Sequence, residues 1–323
     1  MRKLRVSVIG CGSWGRNHAR VYKELENASL ISVVDVNRST AREIGERYGV
    51  EWLMEAEKAF ESSDIEAVSI CTPTVTHAEL ALRAIQSGKH VLVEKPMTNT
   101  VDEAEELIGA ARRKGVHIAV GFVERFNPAV SEAVKIVSSG EIGDIILAHA
   151  RRVSRRPLRI GDVGVIKDLG IHDIDVISQL FGDDLEEVYA VAGSIAHKFE
   201  DYANILLRYK GNRNAFVETN WLTPRKVRRL IITGTEGLIN VEYIDQEITI
   251  ENEKRLYQPL IENREPLQLE LQSFVDSILR DEPSQPSGED GLKALKICEA
   301  ALESARIGKP VRIKRNKDDP FNY

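Results

Sequence analysis

The feature that most constrains the fold is a glycine pattern near the start of the chain. Gly10, Gly12 and Gly15 follow an apolar run that ends at Ile9 and precede a segment with helical spacing. In such a pattern the first glycine permits a tight turn, the second lets a ligand approach the backbone, and the third lets helix and strand pack closely. The sequence therefore predicts a strand, a sharp turn and a helix, with an anion site at the helix start.

Short apolar runs alternate with amphipathic segments through the first 121 residues. This alternation predicts an α/β fold in which helices cover a parallel sheet, a Rossmann domain. Thr100 followed by Glu103 has the pattern of a capping box, and Gly88 and Gly115 stand where helices should end. The predicted strands are 5–10, 30–35, 67–71, 90–94 and 117–121, and the predicted helices are 17–25, 40–48, 77–87 and 102–114.

The pattern changes after Gly121, and the remaining chain is expected to form a C-terminal α+β domain with a largely antiparallel open sheet. A chain of 323 residues exceeds the usual size of one core. We therefore predict two domains, 1–121 and 122–323. The predicted strands are 145–153, 188–196, 203–209, 215–221, 228–233, 237–243, 247–251 and 311–314, and the predicted helices are 128–138, 171–180, 265–280 and 289–307.

Composition excludes several classes of function. A net charge of −6 argues against non-specific nucleic-acid binding. The three cysteines, Cys11, Cys71 and Cys298, lie far apart, which suits a reducing compartment and provides no metal-site spacing. No run approaches the roughly 20 apolar residues of a membrane span. We expect a cytoplasmic protein with no metal, no membrane partner and no nucleic-acid partner.

An acidic residue completes the glycine pattern. Asp35 ends the second predicted strand, twenty positions after Gly15. A carboxylate there accepts hydrogen bonds from a ribose diol and repels a 2′-phosphate, so the predicted cofactor is NAD. Arg38 and Arg42 leave a 2′-phosphate as an alternative. The predicted cofactor contacts in this part of the chain are Gly10, Gly12, Ser13, Trp14, Gly15 and Asp35.

Two further groups of residues carry chemistry. Thr72-Pro73-Thr74 and Glu94-Lys95-Pro96 each follow a predicted strand, at the sheet edge where ligands of such folds bind. Lys95 could polarise a substrate hydroxyl there. Asp168 and His172 are four residues apart, so a helix would place them on one face, where the carboxylate can orient the imidazole as a general base.

With these residues identified, the chain resembles the glucose–fructose oxidoreductase, inositol dehydrogenase and rhizopine-catabolism (Gfo/Idh/MocA) family. The resemblance covers nearly the whole chain and rests on the glycine pattern, on Cys71-Thr72-Pro73 with His77, on Glu94-Lys95-Pro96 and on residues 164–175. It implies that Lys95, Asp168 and His172 are catalytic, and it adds Thr72, Pro73, His77, Glu94 and Lys95 to the cofactor site. Family members often have two glycines where this chain has Val163-Gly164.

Within the family, residues 121–128 and 168–175 look most similar to UDP-N-acetylglucosamine 3-dehydrogenases. Five arginines precede the second of these segments, and they would form either a diphosphate clamp or a solvated strand edge and loop. They are Arg151, Arg152, Arg155, Arg156 and Arg159. The predicted substrate contacts are Arg125, Asn127, Arg155, Arg156, Asp168 and His172.

The sequence thus predicts an NAD-dependent dehydrogenase that oxidises a sugar ring hydroxyl, in its most specific form the 3-hydroxyl of UDP-N-acetylglucosamine. One alternative is an inositol or free-sugar dehydrogenase. Another is a non-catalytic NAD-binding regulator, against which the intact lysine, aspartate and histidine argue. An open sheet face must be covered, so we also expect a homo-oligomer, either a dimer or a tetramer.

Overall fold

The computed structural model describes residues 2–155 and 161–313. Contacts group the chain into two compact units. The first contains residues 1–127 and 263–295, and the second contains residues 128–262 and 296–323. The predicted domain division at residue 121 stays a prediction, but these units show that part of the C-terminal third packs with the N-terminal sheet.

The first unit contains a six-stranded parallel sheet with the order β3-β2-β1-β4-β5-β6. The predicted parallel Rossmann sheet is therefore confirmed. Its strands are β1 (Leu4–Ile9), β2 (Ala28–Val34), β3 (Glu51–Leu53), β4 (Ala67–Ile70), β5 (His90–Glu94) and β6 (Ile118–Gly121). Its first five helices are α1 (Ser13–Glu24), α2 (Arg38–Tyr48), α3 (Ala56–Glu61), α4 (His77–Gln86) and α5 (Val101–Lys114).

Helix boundaries in this unit follow local capping chemistry. The capping box at Thr100 and Glu103 is present, and Gly115 ends α5 with a φ of 66°. The prediction that α2 begins at Thr40 was two residues late, because the Asn37 side chain accepts hydrogen bonds from the backbone N–H groups of Ser39 and Thr40. The elements β3 and α3 were not predicted, because three and six residues are too few to show a period.

The second unit contains a nine-stranded sheet with the order β14-β13-β12-β11-β7-β10-β9-β8-β15. All of its strand pairs are antiparallel except β7 with β10, which confirms the predicted largely antiparallel sheet. The helices α6 (Pro128–Ser138) and α7 (Ile171–Phe181) contact one face of it. Its strands are β7 (Ile145–Arg155), β8 (Leu185–Gly193), β9 (Tyr202–Tyr209), β10 (Asn214–Asn220), β11 (Leu222–Gly234), β12 (Gly237–Glu242), β13 (Glu247–Asn252), β14 (Leu256–Tyr257) and β15 (Val311–Arg312).

One strand of this sheet ends earlier than predicted. The expected strand 188–196 is observed as β8, which ends at Gly193. The chain then turns around Asp201, whose carboxylate accepts hydrogen bonds from the backbone N–H groups of Ile195, Ala196 and His197. These amide groups bind a side chain instead of a neighbouring strand, which is why the apolar run does not continue the sheet.

The last two helices are α8 (Pro266–Arg280) and α9 (Gly288–Ile307). Leu267, Leu271, Phe274 and Val275 of α8 are buried in the core of the first unit, together with residues of β1 and α1. The last helices were expected in the C-terminal domain, but α8 completes the core beneath the N-terminal sheet. Among the described residues, no helix is both long enough and apolar enough to cross a membrane.

A buried ion pair joins α7 to β7 in the second unit. The guanidinium of Arg152 donates two hydrogen bonds, of 2.8 and 3.0 Å, to the two carboxylate oxygens of Asp173. Both side chains are 1% exposed, and the guanidinium lies 4.8 Å from the ring centroid of Tyr243. Because α7 also carries His172, this pair ties the helix that contains that histidine to β7.

We expect Arg152→Met to lower the free energy of unfolding by about 3–5 kcal/mol, because it leaves the Asp173 carboxylate buried without its cation. Urea unfolding followed by circular dichroism measures the change. Arg151→Met is the matched control. Its ion pair with Glu218 is half exposed, and exposed pairs contribute about 0–1 kcal/mol. Equal losses in the two variants would contradict the role given to the buried pair.

Candidate active site

The glycine turn has the geometry that the sequence predicts. Gly10 has a φ of +89°, and a Cβ atom there would lie 2.8 Å from the Thr72 side chain. A Cβ atom on Gly15 would lie 1.7 Å from the carbonyl oxygen of Gly10, so only glycine permits this contact. A Cβ atom on Gly12 would meet nothing within 4 Å. The space beside Gly12, at the N-terminus of α1, is open to a phosphate group.

The residues inside this turn suit an anion. Ser13 begins α1 and is exposed, and Trp14 is half-buried. Burial first, and then the nearby Asp35 carboxylate, raise the pKa of the Cys11 thiol to about 12. Cys11 therefore stays protonated at neutral pH and adds no negative charge beside the phosphate position.

Asp35 lies at the end of β2, beside the turn. Its carboxylate accepts hydrogen bonds of 2.8 Å from the backbone N–H groups of Cys11 and Asn37. An ionised carboxylate offers about four acceptor positions, so two remain for a ribose diol. A cavity of about 610 Å³ adjoins it, lined by Val36, Asn37, Arg38, Ser39, Arg42 and Met54. Its exposed apolar side chains, Val36 and Met54, suit an adenine ring.

The two arginines of this cavity have contacts of their own. Arg42 forms an ion pair of 2.6 Å with Glu46 one helical turn later. The guanidinium of Arg38 lies 5.9 Å from the ring centroid of Trp52. The open cradle at Gly12, the Asp35 carboxylate and this cavity together fit NAD.

The parallel sheet brings the other predicted cofactor residues to the same edge. The strands β1, β4 and β5 are neighbours, so the glycine turn, Thr72-Pro73 and Glu94-Lys95 all follow carboxyl ends of adjacent parallel strands. The close approach between Gly10 and Thr72 shows directly that the loop after β1 touches the loop after β4. The structure thus groups these predicted residues at one edge.

Glu94 and His18 form a buried pair that the sequence analysis did not identify. His18 is on α1 and is fully buried. Its Nε2 atom lies 3.0 Å from Oε1 of Glu94. A Cβ atom on Gly121 would lie 2.9 Å from the Glu94 carboxyl group, so β6 needs glycine at this position. The only sequence signal was His18 itself, a polar residue on the apolar face of α1.

His77 was predicted as a cofactor residue, and the structure buries it between the loop after β4 and the loop after β5. It is 1% exposed at the start of α4. Its Nδ1 atom lies 2.9 Å from the carbonyl oxygen of Pro96, and its Nε2 atom lies 2.9 Å from that of Thr72. The ring therefore links the loop after β4 with the loop after β5.

The second unit carries Asp168 and His172, both of which are buried. Asp168 lies in a π-helical turn, Ile166–Gly170, which leads directly into α7, where His172 is the second residue. Turns of this kind are rare and occur often at functional sites. The expected pairing of this carboxylate with this imidazole stays a prediction.

Glu200 shapes the start of the π-helical turn. Its carboxylate accepts a hydrogen bond of 3.1 Å from the backbone N–H of Ile166. A Cβ atom on Gly164 would lie 2.0 Å from that carboxylate. Burial raises the pKa of Glu200 above its ordinary value, although the Ile166 N–H opposes this effect. Gly164, which this chain shares with the family motif, makes room for the carboxylate, whereas Val163 before it is buried.

Two predicted substrate residues lie in the first unit and have protein partners. Arg125 forms an ion pair of 2.9 Å with Asp290. Asn127 is buried, and its side-chain amide donates to the Glu124 carboxylate over 3.4 Å. Their predicted contact with substrate stays a prediction.

The predicted arginine cluster divides into separate parts. Arg152 is buried against Asp173, and Arg151 forms an ion pair of 3.0 Å with Glu218. These two arginines therefore contact acidic residues of the protein, and the choice between a diphosphate clamp and a solvated strand edge and loop stays a prediction. Arg155 is exposed at the end of β7. Arg156 and Arg159 lie outside the described residues.

We expect Asp35→Ser to shift cofactor preference from NAD toward NADP, because the change removes both the ribose acceptor and the repulsion of a 2′-phosphate. A charged hydrogen bond of about 1.5–3 kcal/mol corresponds to roughly a ten- to hundredfold loss in NAD affinity. Fluorescence titration with both cofactors measures it. Asp64→Ala, at an exposed carboxylate of the same unit, should change neither affinity. Equal use of both cofactors by the unmodified protein would contradict this role for Asp35.

Comparisons with known proteins agree with this geometry. A family model described as an oxidoreductase family with an NAD-binding Rossmann fold matches residues 4–122, and the GFO/IDH/MocA C-terminal domain matches residues 130–240. The chain is 29% identical to myo-inositol 2-dehydrogenase of Thermotoga maritima, covering 96% of this chain and 99% of that protein. It is 28% identical to the NAD(+)-dependent scyllo-inositol 2-dehydrogenase of Bacillus subtilis, covering 96% of each.

A solved structure adds a second kind of relative. UDP-N-acetylglucosamine 3-dehydrogenase from Acidithiobacillus ferrooxidans is 27% identical with a TM-score of 0.88, covering 95% of this chain and 99% of that one. Both domain models and these end-to-end relatives indicate the same chemistry as the glycine turn and the Asp35 carboxylate, NAD-linked oxidation. The chain therefore belongs to the GFO/IDH/MocA family of oxidoreductases and is an NAD-dependent dehydrogenase.

Proposed function

We propose that this dehydrogenase oxidises a ring hydroxyl of a sugar or cyclic polyol, with Lys95, Asp168 and His172 as its catalytic residues. The observation that carries the proposal is the position of Lys95. It directly follows β5, at the same carboxyl edge as the glycine turn that follows β1. A lysine at that edge is positioned to act on a substrate beside the cofactor.

The proposed mechanism gives each residue one task. NAD, held by the glycine turn and the Asp35 carboxylate, would supply the acceptor for the hydride of the substrate carbon. His172 takes the hydroxyl proton, because an imidazole titrates near neutral pH and serves as a general base. Lys95 stabilises the negative charge that develops on the same oxygen. Asp168 orients the imidazole, as a carboxylate does in other general-base arrangements. A protein that only binds NAD would need none of these three groups.

For the substrate we propose a nucleotide sugar, UDP-N-acetylglucosamine, with the 3-hydroxyl as the reacting group. The support is the end-to-end similarity to the solved 3-dehydrogenase and the exposed Arg155 at the end of β7, which would bind the diphosphate. The alternative is a cyclic polyol. It is favoured by the inositol dehydrogenases among the curated relatives and by the ion pairs that engage Arg151 and Arg152 within the protein.

We also propose that the second unit forms a homo-oligomer through the sheet face opposite α6 and α7. A row of mostly apolar side chains crosses five neighbouring strands in direct register on that face. The row consists of Tyr189, Leu206, Phe216, His149 and Ile231. Tyr189 and Leu206 are 37% and 42% exposed.

Ion pairs flank this row on both sides. Arg208 with Glu187 lies on one side, and Arg151 with Glu218 lies on the other. A face with an apolar centre and charges of both signs at its rim is complementary to a second copy of itself about a twofold axis.

We expect free UDP to bind the NAD-saturated protein and to compete with UDP-N-acetylglucosamine, because both share the diphosphate. Titration calorimetry measures binding, and absorbance of the reduced nicotinamide measures turnover of the nucleotide sugar and of myo-inositol in parallel. Arg155→Ala should raise KM for the nucleotide sugar about ten- to a hundredfold, the equivalent of one charged hydrogen bond. Arg306→Ala, at an exposed arginine of the same unit, is the control. Absence of UDP binding at millimolar concentration, together with turnover of myo-inositol, would replace the nucleotide sugar with the polyol.

We expect the unmodified protein to sediment as a dimer or tetramer of its 36.2 kDa chain. Leu206→Arg should lower the mass of the sedimenting assembly, because a charge in the apolar row opposes association. Leu256→Arg, at an exposed position on β14, should leave the mass unchanged. A monomeric unmodified protein would refute this use of the sheet face.

A further inference from the structure

Two buried histidines hold the residues on either side of Lys95. His18 contacts the side chain of Glu94, the residue before the lysine, and His77 contacts the carbonyl oxygen of Pro96, the residue after it. Both histidines are buried. Neither lies in the segment 94–96, so the two contacts reach it from different helices of the first unit, α1 and α4.

The contact on the N-terminal side is enclosed. The Glu94 carboxyl group lies against Gly121 on the neighbouring strand, where even a methyl group would not fit. The imidazole of His18 lies edge-on to Trp14 and Tyr22, with ring centroids 6.5 and 6.4 Å away. Steric contacts on both sides therefore hold the hydrogen bond in one geometry, since packed interiors resist displacement.

A second carboxyl group lies beside this pair. One imidazole nitrogen of His18 and one carboxyl oxygen each of Glu94 and Glu270 lie within 4.8 Å of one another, and all three residues are buried. Glu270 comes from α8, the helix that returns to the first unit. A hydrogen bond between an imidazole N–H and a carboxylate is stronger than one between two neutral groups.

The contact on the C-terminal side joins two loops. Both ring nitrogens of His77 lie 2.9 Å from carbonyl oxygens, one of Pro96 and one of Thr72. Carbonyl oxygens only accept, so the ring donates to one of them when neutral and to both when protonated. The loop that contains Lys95 is thereby tied to the loop that touches Gly10 of the glycine turn.

We propose that His18 and His77 are positioning residues for Lys95. His18 holds the side chain of the residue before the lysine, and His77 holds the backbone carbonyl of the residue after it. His18 also connects this segment to the helix that begins at the cofactor's phosphate site. This inference rests on the proposed function, in which Lys95 acts on the substrate oxygen. A lysine has a long, flexible side chain, so its placement depends on where its backbone is held. Misplacement of a reacting group by about 1 Å can lower a rate about a hundredfold.

A double-mutant cycle tests the proposal, with activity measured on whichever of UDP-N-acetylglucosamine and myo-inositol the protein oxidises. His18→Leu should lower kcat about tenfold or more while leaving the Kd for NAD nearly unchanged. His18→Gln, which keeps an N–H donor of similar reach, should restore much of kcat. In a Lys95→Ala background, His18→Leu should lower kcat no further, because the residue through which it acts is absent.

The matched control is His90→Leu, at the opposite end of β5, where His90 accepts a hydrogen bond from the backbone of His117. It should lower the melting temperature without the loss in kcat. Additive losses in His18→Leu and Lys95→Ala, or equal losses of kcat in His18→Leu and His90→Leu, would overturn the proposal. If His18→Leu does not fold, His77→Asn takes its place in the same cycle.

Failure of the proposed function gives a different result. Lys95→Ala would then keep full turnover, or neither substrate would be oxidised. In that case the positioning role is tested by labelling lysines with acetic anhydride and quantifying Lys95 by mass spectrometry against the exposed Lys114. A shift in the relative labelling rate of Lys95 in His18→Leu, absent in His90→Leu, supports the role. An unchanged rate overturns it.

Discussion

The close contact between Gly10 and Gly15 is the constraint on which the first unit depends. A side chain at Gly15 would collide with the backbone of Gly10, so α1 can start at this distance from β1 only when both residues are glycine. That distance sets the open space at Gly12 for a phosphate group. It also places His18, one turn further along α1, against the Glu94 carboxylate. Cofactor site and lysine segment therefore share one structural origin.

In the second unit, a buried ion pair and a half-buried carboxylate serve the same purpose. The pair of Arg152 and Asp173 ties α7 to the sheet, and Glu200 occupies the space beside Gly164 while it binds the first N–H of the π-helical turn. Buried charges are costly unless they are paired and hydrogen-bonded. Each of these groups thus tolerates few other arrangements, and the segment with Asp168 and His172 is held in one of them.

Much of the fold was predictable because its signals are local. Strand and helix periods, the capping box at Thr100 and the glycine turn each lie within a few consecutive residues. Two kinds of element were not predicted correctly. Some, such as β3, have too few residues to show a period, and others are ended early by the side chain of another residue. The strand β8 is an example, since Asp201 takes the backbone N–H groups that would have continued it.

The sequence by itself determined the NAD-binding unit and the family, and it supplied the residues proposed for catalysis, because these depend on residue types at fixed short spacings. Only the tertiary structure decided which residues support them. His18 and Glu94 are 76 positions apart, and Arg152 and Asp173 are 21 apart. It also decided that α8 belongs to the first unit. Such pairings arise when the chain closes long loops to bury polar groups together, and no local pattern encodes which distant partner a buried charge will find.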